Sequence, residues 1–198
     1  MATIKPLGDP LTREEMRAIV NTATNDAVLN VKNLRNAILI RILAWTGRRI
    51  GEILSLKVKN VNFEEALITT IIEKKKNDLY ERPVSIGNTT TKMIKTYVKA
   101  KRLSPNSKLF NITKRQALRI IKKYATKVGI KNKRITAHSF RHSLITFLKQ
   151  EGRSNEEVAK VTGQAPVTVA RYDHTTYFDF EKEHKSIISK IIGDDDGI

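Results

Sequence analysis

Four short stretches of the chain set residues at spacings suited to chemistry on a phosphate. In Thr46-Gly47-Arg48-Arg49-Ile50-Gly51-Glu52-Ile53, an arginine pair sits at a glycine-broken helix junction. A guanidinium near a helix N-terminus suits an anion, because backbone N–H groups and the dipole favour the same charge. Glu52, one turn after Arg49, can orient it; the plainer alternative is a surface Arg–Glu helix pair. In Ala137-His138-Ser139-Phe140-Arg141-His142, His138 and Arg141 lie three apart on one helix face, where both can meet one ligand. Arginine would neutralise a non-bridging oxygen while histidine hydrogen-bonds or moves a proton. A capped helix start or a satisfied core imidazole explains the same histidines locally. A zinc reading needs more ligands, and the glutamate of the two-histidine helical metal pattern is absent. A lysine of Lys74-Lys75-Lys76, at a turn, could reach into a groove and protonate a leaving oxygen, although turn lysines are usually just solvated. In Arg171-Tyr172-Asp173-His174, the phenol could attack phosphorus if cations surround it, although most tyrosines are structural.

The elements that must position these residues are mostly helices. Residues 1–10, with Pro6, Gly8 and Pro10, read as an extended lead-in or linker. Thr12 with Glu15 forms a capping box, with Leu11 stapling onto Met16, and predicts a helix to about Ala27. Leu34, Ile38, Ile42 and Trp45 recur at helical spacing until Gly47 stops them, and a short helix restarts through Ile50 to Leu56. Residues 66–73 and 80–86 are β-rich and flank the polar Lys74–Asp78, a hairpin signal. Helices are expected over Thr90–Arg102, over Thr113–Val128, and from Thr136 to Glu151. Ser154 with Glu157 forms a second capping box closed by Gly163, and Pro166 suits the first turn of a short helix. A last helix spans about Asp179 to Ile192, with Phe180, His184, Ile187, Ile188 and Ile191 on one stripe. The fold class is therefore mainly α with a small antiparallel β-sheet (α+β).

The 198 residues carry 37 Lys and Arg against 20 Asp and Glu, a formal charge of +17, which points to a polyanion as partner. Residues 173–198 hold seven acids against three lysines, so the surplus belongs to residues 1–172. With no cysteine, a disulfide scaffold, a thiol nucleophile and a cysteine-ligated metal are excluded. No apolar run approaches the roughly 20 residues of a membrane span, and the first residues lack a signal-peptide core. A reducing compartment is the default. There is neither a glycine-rich nucleotide loop nor a recognisable Mg²⁺ or zinc cluster.

Taken in order, Thr-Gly-x-Arg-x-x-Glu, a hairpin lysine, His-x-x-Arg-His, Gly-Gln and Tyr-x-His resemble the catalytic domain of the tyrosine recombinase (phage integrase) family, from Leu11 to about Ile192. The resemblance implies the DNA breaking–rejoining fold and a site-specific recombinase needing neither metal, cofactor nor ATP. Arg49 and Arg141 would clamp the scissile phosphate, with His138 as acid/base partner and Glu52 supporting Arg49. Lys76, preferred over Lys74 and Lys75 because it precedes Asn77, would protonate the leaving 5′-hydroxyl. Tyr172 would form a 3′-phosphotyrosyl link. Two departures stand out. Gln164 occupies the place where the family most often has histidine, so it can donate a hydrogen bond but cannot shuttle a proton. The interval from Gln164 to Tyr172 is about one residue short, which keeps Tyr177 as an alternative nucleophile. The implied partner is double-stranded DNA, bound by a homo-oligomer (a tetramer) that can be monomeric when free, with no membrane. The implied setting is the cytoplasm and nucleoid of a prokaryotic cell, or a virus or plasmid replicon. Residues 11–178 would be the catalytic domain, and 179–198 a helix and acidic tail docking on its own domain or on a neighbouring protomer. With the resemblance starting at Leu11, the N-terminal core-binding domain common in the family would be absent, as in either an isolated catalytic domain or a minimal natural enzyme. An inactive DNA-binding relative and a type IB topoisomerase are the alternatives.

Overall fold

The computed structural model describes residues 8–73, 79–169 and 181–193. Helix α1 (Arg13–Asp26) begins at the expected capping box: Thr12 Oγ1 accepts from the Glu15 N–H, and the Glu15 carboxylate accepts from the Thr12 N–H. Leu11 and Met16, the stapling pair, are both buried. Helix α2 (Val31–Thr46) departs from the single stripe read in its sequence. It is buried on nearly every side from Asn36 to Thr46, Arg41 included, and serves as the central post of the domain. Arg41 Nε donates to Thr90 Oγ1 at 2.9 Å, so its charge is hydrogen-bonded inside the core.

Gly47 ends α2 in the left-handed region at φ 54°, and α3 (Ile50–Ser55) starts two residues later. A Cβ at Gly47 would lie 3.3 Å from the Arg141 Cα and 3.2 Å from a Leu144 methyl. Glycine is therefore needed there both for the turn and for the close approach of a second helix.

A short 3-10 turn leads into a three-stranded antiparallel sheet, β1 (Val61–Asn62), β2 (Leu67–Glu73) and β3 (Leu79–Ser85), in that order. The β2–β3 hairpin follows the expected pairing, with Ile68 opposite Val84 and Thr70 opposite Arg82. Strand β1 was not foreseen, because two residues carry no readable alternation. Helices α4 (Asn88–Lys101) and α5 (Lys114–Lys127) follow. Then come α6 (Ala137–Gln150), α7 (Asn155–Thr162) and α8 (Pro166–Val169). Residues 8–11 are tied into the body: the Asp9 N–H donates to the Arg134 carbonyl at 3.0 Å, and the Leu11 N–H to Ser143 Oγ at 2.7 Å.

Helix α9 (Glu181–Ile192) packs against α1 and α2 of the same chain, burying Ile188, Ile191 and Ile192. Arg17 of α1 caps its end, donating through Nε to the Ile191 carbonyl at 2.8 Å and through Nη2 to the Lys190 carbonyl.

Candidate active site

The α2–α3 break aims Arg49 outward. Arg49 is the N-cap of α3 in extended backbone, and its side chain is half exposed, at 54%. Glu52 holds it at both ends. One carboxylate oxygen accepts from the Arg49 N–H at 3.2 Å and the other from Nη1 at 3.0 Å. The carboxylate thus closes the helix start and fixes the guanidinium in one step.

Helix α6 brings the second pair. Thr136 caps it, accepting from the His138 N–H at 3.2 Å, so His138 sits in the first turn facing solvent. Arg141, one turn on, is buried at 3% exposure and works as a stitch. Its Nη1 donates to the Gly47 carbonyl at 2.8 Å and to the Thr162 carbonyl at 2.5 Å, joining the α2–α3 break to the end of α7. Gln164 follows the left-handed Gly163 that closes α7. With its amide oxygen facing Arg141, Gln164 accepts from Nη2 at 3.1 Å and Nε at 2.7 Å. That orientation directs the amide N–H groups away from Arg141, available to a ligand.

Arg49, Glu52, His138 and Arg141 line one open cleft of about 490 Å³, together with Arg48 and Lys114. Four residues from two stretches 86 positions apart meet there, and Gln164 joins them through Arg141. The His138 pKa is held below the imidazole's ordinary value, first by desolvation and then by the Arg141 and Arg49 charges. A histidine so placed is biased toward its neutral, proton-accepting form. His142, on the same helix, is also lowered, by desolvation. Lys74, Lys75, Lys76, Tyr172 and Tyr177 lie outside the described residues.

Two cleft residues escaped the sequence reading. Lys114 opens α5 and reaches over Gly51, its Nζ 3.7 Å from where a Cβ would stand. Nothing in its local sequence separates it from the other Lys and Arg positions, 37 in all with Lys114 included. Arg48 was read only as a member of the arginine pair, yet it is fully buried. The cleft meets α5 at Lys114; that helix buries Ala117, Ile120, Ile121 and Tyr124 and exposes Lys114, Arg115, Arg119, Lys122 and Lys123. Among the described residues no group of three or more His, Cys, Asp or Glu side chains could hold a metal ion. Among the same residues no helix is long and apolar enough to cross a membrane.

Comparison with known proteins places this fold. The model of the phage integrase family matches residues 10–178. Tyrosine recombinase XerA of Pyrococcus furiosus is 26% identical over 96% of this chain and 66% of its own length. Tyrosine recombinase XerD of Staphylococcus epidermidis is 29% identical over 87% of this chain and 60% of its own. The chain therefore spans about 60% of the length of such relatives. Among solved structures, XerA recombinase superposes with a TM-score of 0.69 at 22% identity, covering 96% of this chain and 65% of that one. XerH bound to its difH substrate superposes with a TM-score of 0.70 at 23% identity, covering 84% and 50%. The fold is that of the tyrosine recombinase catalytic domain, and the chain belongs to the phage integrase family.

Proposed function

We propose that this chain is the strand-cutting and rejoining part of a site-specific DNA recombinase. The observation that carries the reading is the convergence of Arg49, His138 and Arg141, with Gln164 on Arg141, upon one open cleft. A phosphodiester resists attack because its anionic oxygens repel a nucleophile, and paired guanidinium groups offset that charge. In the proposed step the Tyr172 oxygen bonds to phosphorus while the bond to the 5′-oxygen breaks. The phenol proton passes to His138, and a lysine of the 74–76 turn, with Lys76 preferred, gives a proton to the departing 5′-hydroxyl. The 3′-phosphotyrosyl link conserves the bond energy, so rejoining is the same step in reverse. Gln164 would donate its amide N–H to a non-bridging oxygen.

The exposed cations of α5, next to the cleft, suit the flanking phosphates of duplex DNA. Recombination joins several cut ends, so the working form would be a homo-oligomer, a tetramer, on DNA. The setting would be the nucleoid of a prokaryotic cell, or a plasmid or virus replicon.

The test traps the covalent complex. The protein is incubated with supercoiled DNA of its source replicon, stopped with SDS and examined for a protease-sensitive shift. Tyr172→Phe and Tyr177→Phe run alongside. A shift lost only with Tyr172→Phe is expected. Loss only with Tyr177→Phe moves the nucleophile, and no shift despite intact DNA binding overturns the enzymatic reading.

A further inference from the structure

The last turn of α7 gathers three guanidinium groups from three separate elements. Arg82 of β3 donates through Nη1 to the Ala159 carbonyl at 3.3 Å. Arg48, from the α2–α3 junction, donates through Nη2 to the Lys160 carbonyl at 3.2 Å. Arg141 of α6 donates to the Thr162 carbonyl at 2.5 Å. The last carbonyls of a helix form the negative end of its dipole, so a cation there is favourable, and the Ala159 carbonyl accepts from Arg82 in addition to the Gly163 N–H at 2.9 Å.

Arg48 goes well beyond an ordinary cap. It is fully buried, and its Nε and Nη1 have no hydrogen-bond partner among the described residues. Burial pushes its pKa down to about 10, with Glu52 opposing that shift and Arg82 and Arg49 adding to it. A single carbonyl is poor compensation for a buried cation, and an apolar side chain of similar volume would serve stability better. What the guanidinium adds is a directional tether between α7 and the junction that carries Arg49.

We infer that Arg48 and Arg82 are positioning residues that lock the C-terminus of α7 against α3 and β3, so that Gly163 and Gln164 keep a fixed place beside Arg141. The inference rests on the reading of the cleft as a phosphate site. Arg82 belongs to strand β3, so one clamp ties the β2–β3 pair to the end of α7 that precedes Gln164.

The experiment compares the full chain with Arg48→Met, Arg48→Lys and Arg82→Met. Methionine fills the space without charge, and lysine keeps the cation with fewer donors. Three quantities are read: SDS-stable adduct rate, DNA affinity, and amide hydrogen exchange by mass spectrometry. Arg48→Met is expected to form adduct about 10- to 100-fold more slowly, a larger loss than any it causes in DNA affinity. Its exchange should quicken over residues 159–169 while α1 and α2 stay unchanged. Arg48→Lys should recover most of the rate, which a merely space-filling role would not require. Arg82→Met, at a half-buried site, should give a weaker version of the same pattern, and it decides the matter if Arg48→Met does not fold. Wild-type rate and exchange in both methionine variants overturn the inference, as does faster exchange spread evenly over the chain. If wild type forms no adduct, the reading of the cleft fails, and the local exchange pattern alone still decides whether the clamp exists.

Discussion

His138 faces solvent at the cleft, yet desolvation and two neighbouring arginines hold its pKa below the ordinary 6.5. The neutral imidazole is the form that can take a proton from a phenol. The sign follows: kcat/KM for adduct formation should be flat near neutrality and fall as pH drops through a limb lying below 6.5. His138→Gln should lose that limb and lower the rate by about 10²- to 10⁴-fold. Gln164 offers a second probe, because its amide oxygen already lies on Arg141. Gln164→Glu would place a carboxylate against the guanidinium and neutralise the charge meant for phosphate. Adduct formation should then drop by about 100-fold or more with the fold intact by circular dichroism, whereas Gln164→His should retain it. The types of these residues were legible in the sequence as separate motifs. That Arg141 is buried, and stitches Gly47 to Thr162, was not, because all those contacts join segments far apart in the chain.

At the scale of the elements, local chemistry accounts for most boundaries. Both expected capping boxes formed, and Gly47 and Gly163 end their helices in the left-handed region. Ser154 is a buried cap, so Ser154→Ala should lower the stability measured by urea unfolding by about 1 kcal/mol. Gly47→Ala should cost more, about 2–3 kcal/mol, because a Cβ adds strain at φ 54° and presses on the α6 backbone. It should also lower adduct formation, since Gly47 sets the spacing between the Arg49 and Arg141 elements. Periodicity was a weaker guide for α2. A stripe at helical spacing describes one face, and the burial of the remaining faces depends on α1, α4 and α6 arriving around it.

For the whole molecule, charge is the dominant fact. The surplus lies in residues 1–172, and α5 exposes five cations along one side, reaching the cleft at Lys114. Lys122→Gln with Lys123→Gln should leave stability nearly unchanged. The pair should reduce the slope of log K against log salt by about one per lost phosphate contact, read from DNA affinity at several salt concentrations. Helix α9 is held by apolar contact instead, through its three buried isoleucines and the Arg17 cap. Removing residues 181–198 should uncover that apolar surface on α1 and α2 and lower stability by at least about 3 kcal/mol, measured by thermal unfolding.

By itself, the sequence determined the positive charge surplus of residues 1–172, the run of elements with their caps and stops, and the ordered motifs whose residue types suit phosphate chemistry. Each rests on composition or on neighbours within a few positions, which a linear reading contains. Tertiary structure alone decided how Arg141 is buried behind the cleft that Arg49 and His138 line, that Lys114 joins them, and that three arginines converge on the end of α7. Those facts depend on side chains brought together from 34 to 112 positions apart, and only packing around the buried α2 sets such distances.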